Sequence, residues 1–201
     1  MRSIARLSVL TCMAMGCGNV AATTDAAPAP TVSCDATTHT VQVLQNGSFD
    51  DPTPAWAQSP PAPPSFLCGS PTINPHDGTA AACLGGKDGA TMTLTQTIPL
   101  PAGATSLTLD GQKCISTQET AAVDTDILSF DILFGNVVIS SLGKLTNQQG
   151  SPNCVFDAFT LQAQLTSAPA TATLRMSSTL NDSKTTSFFI DTLTLTAGCV
   201  P

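Results

Sequence analysis

Residues 84–103 read LGGKDGATMTLTQTIPLPAG. The first half is a glycine-rich loop around Lys87, and threonines follow. It reads either as a phosphate cradle or as a turn that opens a β-strand. A phosphate loop runs G-x-x-x-x-G-K-[ST] from a strand into a helix, so that backbone N–H groups and the helix N-terminus hold the anion. Here Lys87 stands between Gly86 and Gly89 rather than after the last glycine, and Asp88 beside it repels an anion. The next residues, Thr91–Ile98, alternate: Met92, Leu94 and Ile98 fall on one face and the threonines on the other. Period two belongs to a strand and supplies no helix dipole. Asp88-Gly89 is therefore read as turn chemistry, and Thr91–Ile98 as a strand.

The same period recurs on both sides. Thr40–Gln45 (TVQVLQ) alternates and ends in the turn pair Asn46-Gly47. Ser65–Cys68, Ala80–Leu84, Ser106–Ile115, Asp126–Phe134, Asn136–Leu142, Val155–Leu165, Ala172–Ser177 and Ser187–Thr196 read as further strands, with a tight hairpin at Gly135-Asn136. Pro52–Pro64 holds six of the fifteen prolines and reads as an irregular loop. Phe188 and Phe189 point to opposite faces of one strand, so at least one belongs in the core. Phe130, Phe156 and Phe159 are assigned to the core as well. No helical period appears after residue 31. Many short, half-polar strands without helices predict an all-β, two-sheet antiparallel sandwich.

A chain of 201 residues suits one domain with a leader. Only 10% of residues are charged and the net charge is −7; the basic residues beyond the leader (Lys87, Lys113, Lys144, Arg175 and Lys184) are scattered. That excludes a nucleic-acid surface, which needs a basic patch.

The N-terminus carries targeting information. Arg2 and Arg6 precede a short apolar run, Leu7–Met15, too short to span a bilayer. It ends in Ala14-Met15-Gly16-Cys17, which resembles a bacterial lipobox. The resemblance implies a signal peptide over 1–16, a lipid on Cys17, and a membrane contact through that anchor alone. An ordinary signal cleaved after Ala22 is the competing reading. Gly18 after the cysteine resembles outer-membrane sorting in Gram-negative lipoproteins, so the expected location is the cell envelope, at the outer membrane. Residues 17–31, rich in Ala, Thr and Pro, read as a flexible tether. The folded domain is placed over 32–201.

Eight cysteines are present. Cys12 leaves with the leader and Cys17 takes the lipid. Cys34, Cys68, Cys83, Cys114, Cys154 and Cys199 remain, an even set in an exported chain, which implies disulfides. Six cysteines allow fifteen pairings. Zinc is a poor alternative, because there is no C-x-x-C pair and the only histidines are His39 and His76.

Four segments in order carry a family resemblance. Asn46-Gly47-Ser48-Phe49-Asp50 followed by Trp56 resembles the "NGxFE" opening of galactose-binding-like jelly rolls. His76-Asp77-Gly78 with Ala82-Cys83-Leu84-Gly85-Gly86 resembles their "hsG…awLGG" segment. Thr93–Ala104 is similar to the "tLsQtvtlPaga" strand and turn. Thr186–Leu195 is similar to the closing "tsFfiDdvsL" strand. These modules are related to carbohydrate-binding and MAM-type domains and are not catalytic. The resemblance implies a jelly roll whose first and last strands are antiparallel neighbours, which brings Cys34 near Cys199. The strand order then favours Cys68–Cys83 and Cys114–Cys154.

The resemblance also implies a structural calcium. Asp50 stands in place of the family Glu, with the Gly78 backbone, Asp77 nearby and Asp191, an oxygen set of the kind calcium takes. The competing reading makes Asp50 and Asp77 turn residues and Asp191 a strand-end residue.

The implied function is a surface-displayed, non-catalytic binding or adhesion module for a glycan or a protein. A structural envelope component without a small ligand is the alternative, and a hydrolase is the least favoured. Trp56 is the candidate ligand platform, because rings give low-entropy apolar contact, although a lone tryptophan more often plugs a core. Asp124 and Asp126, two apart, read as a solvated strand edge rather than a glycosidase pair, which needs a defined separation across a substrate. His39 and His76 read as surface or turn residues.

Overall fold

A computed structural model describes residues 32–51, 55–62, 64–87, 89–120, 122–181 and 184–200. The leader, Cys17, the tether over 17–31 and the Asp88 turn residue lie outside the described residues. Eleven strands form two antiparallel sheets: β1 (Thr40–Gln42), β2 (Ala57–Ser59), β3 (Leu67–Cys68), β4 (Ala81–Gly85), β5 (Thr91–Pro99), β6 (Ala104–Thr117), β7 (Ile127–Phe134), β8 (Val137–Thr146), β9 (Asp157–Gln164), β10 (Thr171–Thr179) and β11 (Thr186–Cys199). Two single-turn 3-10 helices, Asn147–Gln149 and Pro152–Cys154, join β8 to β9. One sheet runs β3-β4-β11-β6-β9, with β1 also on β11; the other runs β2-β5-β10-β7-β8.

Alternation positions the core. On β5 the buried residues are Leu94, Gln96 and Ile98. Leu128, Phe130 and Ile132 of β7, Leu174 and Met176 of β10, Leu107 and Leu109 of β6, and Phe188 and Ile190 of β11 complete the two inner faces. Gln96 is the polar exception. Its amide accepts from Gln45 N–H and donates to Gln45 C=O, both at 2.8 Å, so it pairs like a strand backbone. That satisfies a polar side chain which alternation places on the inner face.

β11 is bordered on one side by β6 along its length. On the other side β4 covers its first half and β1 its second. The first and last strands are neighbours, and Cys34 bridges Cys199 beside them with Cα atoms 6.3 Å apart. Cys68–Cys83 and Cys114–Cys154 pair at 6.0 and 5.1 Å. All three separations suit disulfides. Phe189 pairs with Cys83 on one neighbouring strand and Cys114 on the other. Both bridges therefore flank a buried aromatic on the outer face of this sheet.

Two sequence expectations are corrected. Ala57–Ser59, inside the proline-rich stretch, is a strand on the sheet edge, paired with Thr93–Thr95. An edge strand needs only one partner, so flanking prolines are tolerated there. Phe156 is half-buried rather than core; it sits edge-on to His76, with ring centroids 6.0 Å apart. Phe188 and Phe189 are both buried, because the disulfide-flanked face covers the second ring.

Candidate functional site

The calcium candidates come together on the outer face of the β11 sheet. A bulge interrupts the β6–β11 register between Asp191 and Thr194, with Thr192 at φ 53°. It turns Asp191 beneath the loop ahead of β4. Asp191 is fully buried. Its Oδ2 accepts from Asp77 N–H at 3.0 Å and its Oδ1 from Thr192 N–H at 2.6 Å. Asp50 Oδ1 accepts from the N–H groups of Thr79 and Ala80 at 2.6 and 3.0 Å and from the Thr79 hydroxyl at 3.1 Å. Gly78 has φ 60°, and a Cβ there would overlap the Asp50 carboxylate. Asp77 itself accepts from Gly78 N–H and is exposed.

Electrostatics separate the two carboxylates. The Thr79 backbone N–H holds Asp50 below the usual carboxylate range. Burial pushes Asp191 above it, and the Asp50 charge adds to that rise. The Asp50 charge adds to the cost of ionising Asp191, and backbone N–H donors fix both carboxylates. The described residues bring no third acidic, His or Cys side chain to them. A calcium here would therefore draw its remaining oxygens from backbone and water.

Trp56 is 9% exposed. Its indole N–H donates to Asn46 C=O at 3.0 Å, and its ring tilts against Phe49 at 5.3 Å. It presents little ring to solvent and closes the core beneath the first loop. His76 Nδ1 pairs with the Thr192 hydroxyl at 3.2 Å, and His39 occupies a turn at φ 54°. Asp124 and Asp126 do not form an open pair: Asp124 bonds Lys144 at 3.1 Å on the surface, whereas Asp126 is buried.

The outer face of the second sheet carries a feature that sequence reading missed. Arg175 of β10 pairs across the sheet with Thr95 of β5 and Asp131 of β7. Its guanidinium Nη2 donates to Asp131 Oδ2 at 2.8 Å, while its Nε is buried without a hydrogen-bond partner. Thr93, Thr97, Thr173, Ser177 and Ser129 surround the pair on the same face. Each residue occupies an outward position in its own alternating strand, which the sequence reveals. Their adjacency depends on the β5-β10-β7 order, which it does not. At the end of this sheet the β7–β8 hairpin exposes Phe134 (58%) beside Val137 and Val138. Phe134 adjoins a groove of about 250 Å³ lined also by Ile139, Ser167, Ala168 and Pro169.

The sandwich is similar to that of TmCBM61, solved in complex with beta-1,4-galactotriose, with a TM-score of 0.53, 14% identity, and 77% of this chain and 97% of that one covered. It is also similar to the enzymatically active domain of tailspike protein 4 of bacteriophage CBA120, with a TM-score of 0.50, 15% identity, and 80% of this chain but 22% of that one covered. No protein-family model matches the sequence, and no curated protein matches it. At these identities the likeness is one of fold: a two-sheet antiparallel jelly-roll sandwich.

Proposed function

We propose that this chain is a non-catalytic carbohydrate-binding module, held at the cell envelope by a lipid on Cys17 and displayed on the tether over 17–31. The outer face of the β2-β5-β10-β7-β8 sheet is the binding face. The observation that carries the reading is the Arg175–Asp131 pair at its centre, with Arg175 Nε desolvated and unpartnered. A fixed donor fork beside a carboxylate, among threonine and serine hydroxyls, suits vicinal sugar hydroxyls, which donate and accept at once. A structural calcium on Asp50 and Asp191 would clamp the first loop and the loop ahead of β4 onto β11.

Titration calorimetry of the oxidised domain against beta-1,4-galactan oligosaccharides, β-glucans and peptidoglycan fragments tests this. Specific binding that Arg175→Ala weakens at least about tenfold, as loss of one charge-assisted bond implies, supports it. Silence across the panel from a folded protein sinks it.

A second reading has its own observation. Phe134, Val137 and Val138 form an exposed apolar hairpin tip, which favours a protein contact at the envelope. Envelope extract retained by the wild type but not by Phe134→Ser, with no glycan bound, would favour that reading.

A further inference from the structure

Asp126 lies just ahead of β7 and continues its inward alternation with Leu128, Phe130 and Ile132. The residue is 0% exposed. Its Oδ1 accepts from Asn181 N–H at 2.9 Å, but its Oδ2 is buried and has no hydrogen-bond partner. The hydroxyl of the adjacent Thr125 is likewise buried and unpartnered. Asn181 belongs to the connection between β10 and β11, and its side-chain Nδ2 donates to Glu119 Oε1 at 2.9 Å. One asparagine thus holds two carboxylates from the β6–β7 connection, one by its main chain and one by its side chain.

The surroundings fix this arrangement; Lys184 Nζ, on the same connection as Asn181, donates to the Thr120 hydroxyl at 3.2 Å. Asn147 Oδ1 accepts from the N–H groups of Thr125 and Asp126 at 3.1 and 3.3 Å. Gly89 N–H donates to Asn181 C=O at 2.8 Å, tying in the turn ahead of β5. Among the described residues the ion pairs join Lys113 to Asp157, Lys144 to Asp124 and Arg175 to Asp131, and none involves Asp126. A buried carboxylate without a counter-charge is strongly disfavoured. Oδ2 has no protein partner, and a bound cation would satisfy it.

We infer that a calcium ion binds at this end of the sandwich, on Asp126 Oδ2 with the Glu119 carboxylate beside it. Hard oxygen donors select it, and the Glu119 side of the site, where the two connections meet, would supply the remaining oxygens. The site shares no residue with Asp50 and Asp191. It stands whether or not the chain binds a glycan.

Equilibrium dialysis with calcium on the oxidised protein separates the two sites. In an Asp50→Asn background one equivalent of calcium remains bound, and Asp50→Asn/Asp126→Asn removes it. Circular dichroism and Trp56 emission check that each variant is folded. Should Asp126→Asn fail to fold, Asp50→Asn/Glu119→Gln serves instead and lowers calcium affinity at least tenfold. A folded Asp50→Asn protein that binds no calcium overturns the site. So does an equivalent that survives both Asp126→Asn and Glu119→Gln. Calcium bound by the wild type and lost with Asp50→Asn alone would place the ion at the other cluster and also overturn it.

Discussion

Gly47 lies directly against the backbone of Leu193. The Leu193 N–H donates to Gly47 C=O at 2.9 Å, and a Cβ on Gly47 would overlap the Leu193 carbonyl. The opening loop is thereby pressed into the β11 bulge that aims Asp191. Gly47→Ala is expected to destabilise the fold by about 1–3 kcal/mol, the usual cost of overpacking. Chemical denaturation reads this. An unchanged midpoint would mean that the bulge relaxes without loss.

Trp56 is the single tryptophan of the chain. Buried against Phe49, it should emit in the blue when folded and shift red on unfolding. Trp56→Phe keeps a ring but loses the N–H bond to Asn46, at a cost of about 1 kcal/mol. If the binding face is the Arg175 sheet, saturating glycan leaves the emission maximum in place. A ligand-induced shift would move the site to the first loop.

The disulfides differ in the loops they close. Cys34–Cys199 spans 165 residues and Cys68–Cys83 spans 15. Chain entropy assigns about 5 kcal/mol to a closure of the first size and about 3 kcal/mol to the second. The paired serine variants should therefore lose stability in that order, as read from thermal midpoints. Equal losses would mean that the denatured chain stays compact around the remaining bridges.

Calcium at Asp50 and Asp191 has a pH signature. Asp191, raised by burial, favours the fold while protonated, and that contribution fades as pH rises through its folded value. Asp50, lowered by the Thr79 N–H, favours the fold while ionised, and that contribution is lost as pH falls through its folded value. Calcium needs both ionised. At a hundredfold excess over its Kd it should add about 2.7 kcal/mol near neutral pH. The gain should shrink toward about pH 4, where carboxylates protonate. Scanning calorimetry with calcium and with chelator measures it; a pH-independent difference would point to an ion elsewhere.

Arg175→Lys isolates the fork from the charge. Lysine keeps the positive partner for Asp131 but cannot present paired planar donors. Glycan affinity should fall while the thermal midpoint moves little, because a partly exposed ion pair contributes little to stability. A variant that binds as well as the wild type would leave the charge alone as the recognition element.

The strand set was legible because Thr91–Ile98 and its relatives alternate cleanly, and period two survives any tertiary context. Ala57–Ser59 was hidden because prolines mask an edge strand that takes its register from β5 rather than from its own pattern. Asp50, Gly78 and Asp191 were reachable only through resemblance, since a bulge and a loop crossing bring them together. Arg175 read as one of several scattered basic residues, and nothing in its strand pattern pointed to Asp131. Their meeting depends on which strands pair, and that is decided by the whole sheet.

β11 is the last strand in the described order, yet it lies inside its sheet and hydrogen-bonds β1, β4 and β6. Its partners lie far back in sequence, so a large loop-closure entropy must be overcome before the sheet exists. A growing chain can assemble β5, β7, β8 and β10 first, but its other half waits for the final strand. Until then Cys34 has no mate, because Cys199 ends β11, whereas Cys68–Cys83 lies across the β3–β4 pair and Cys114–Cys154 joins β6 to the turn ahead of β9. The β3-β4 and β6-β9 pairs therefore become one sheet only when β11 is inserted between β4 and β6.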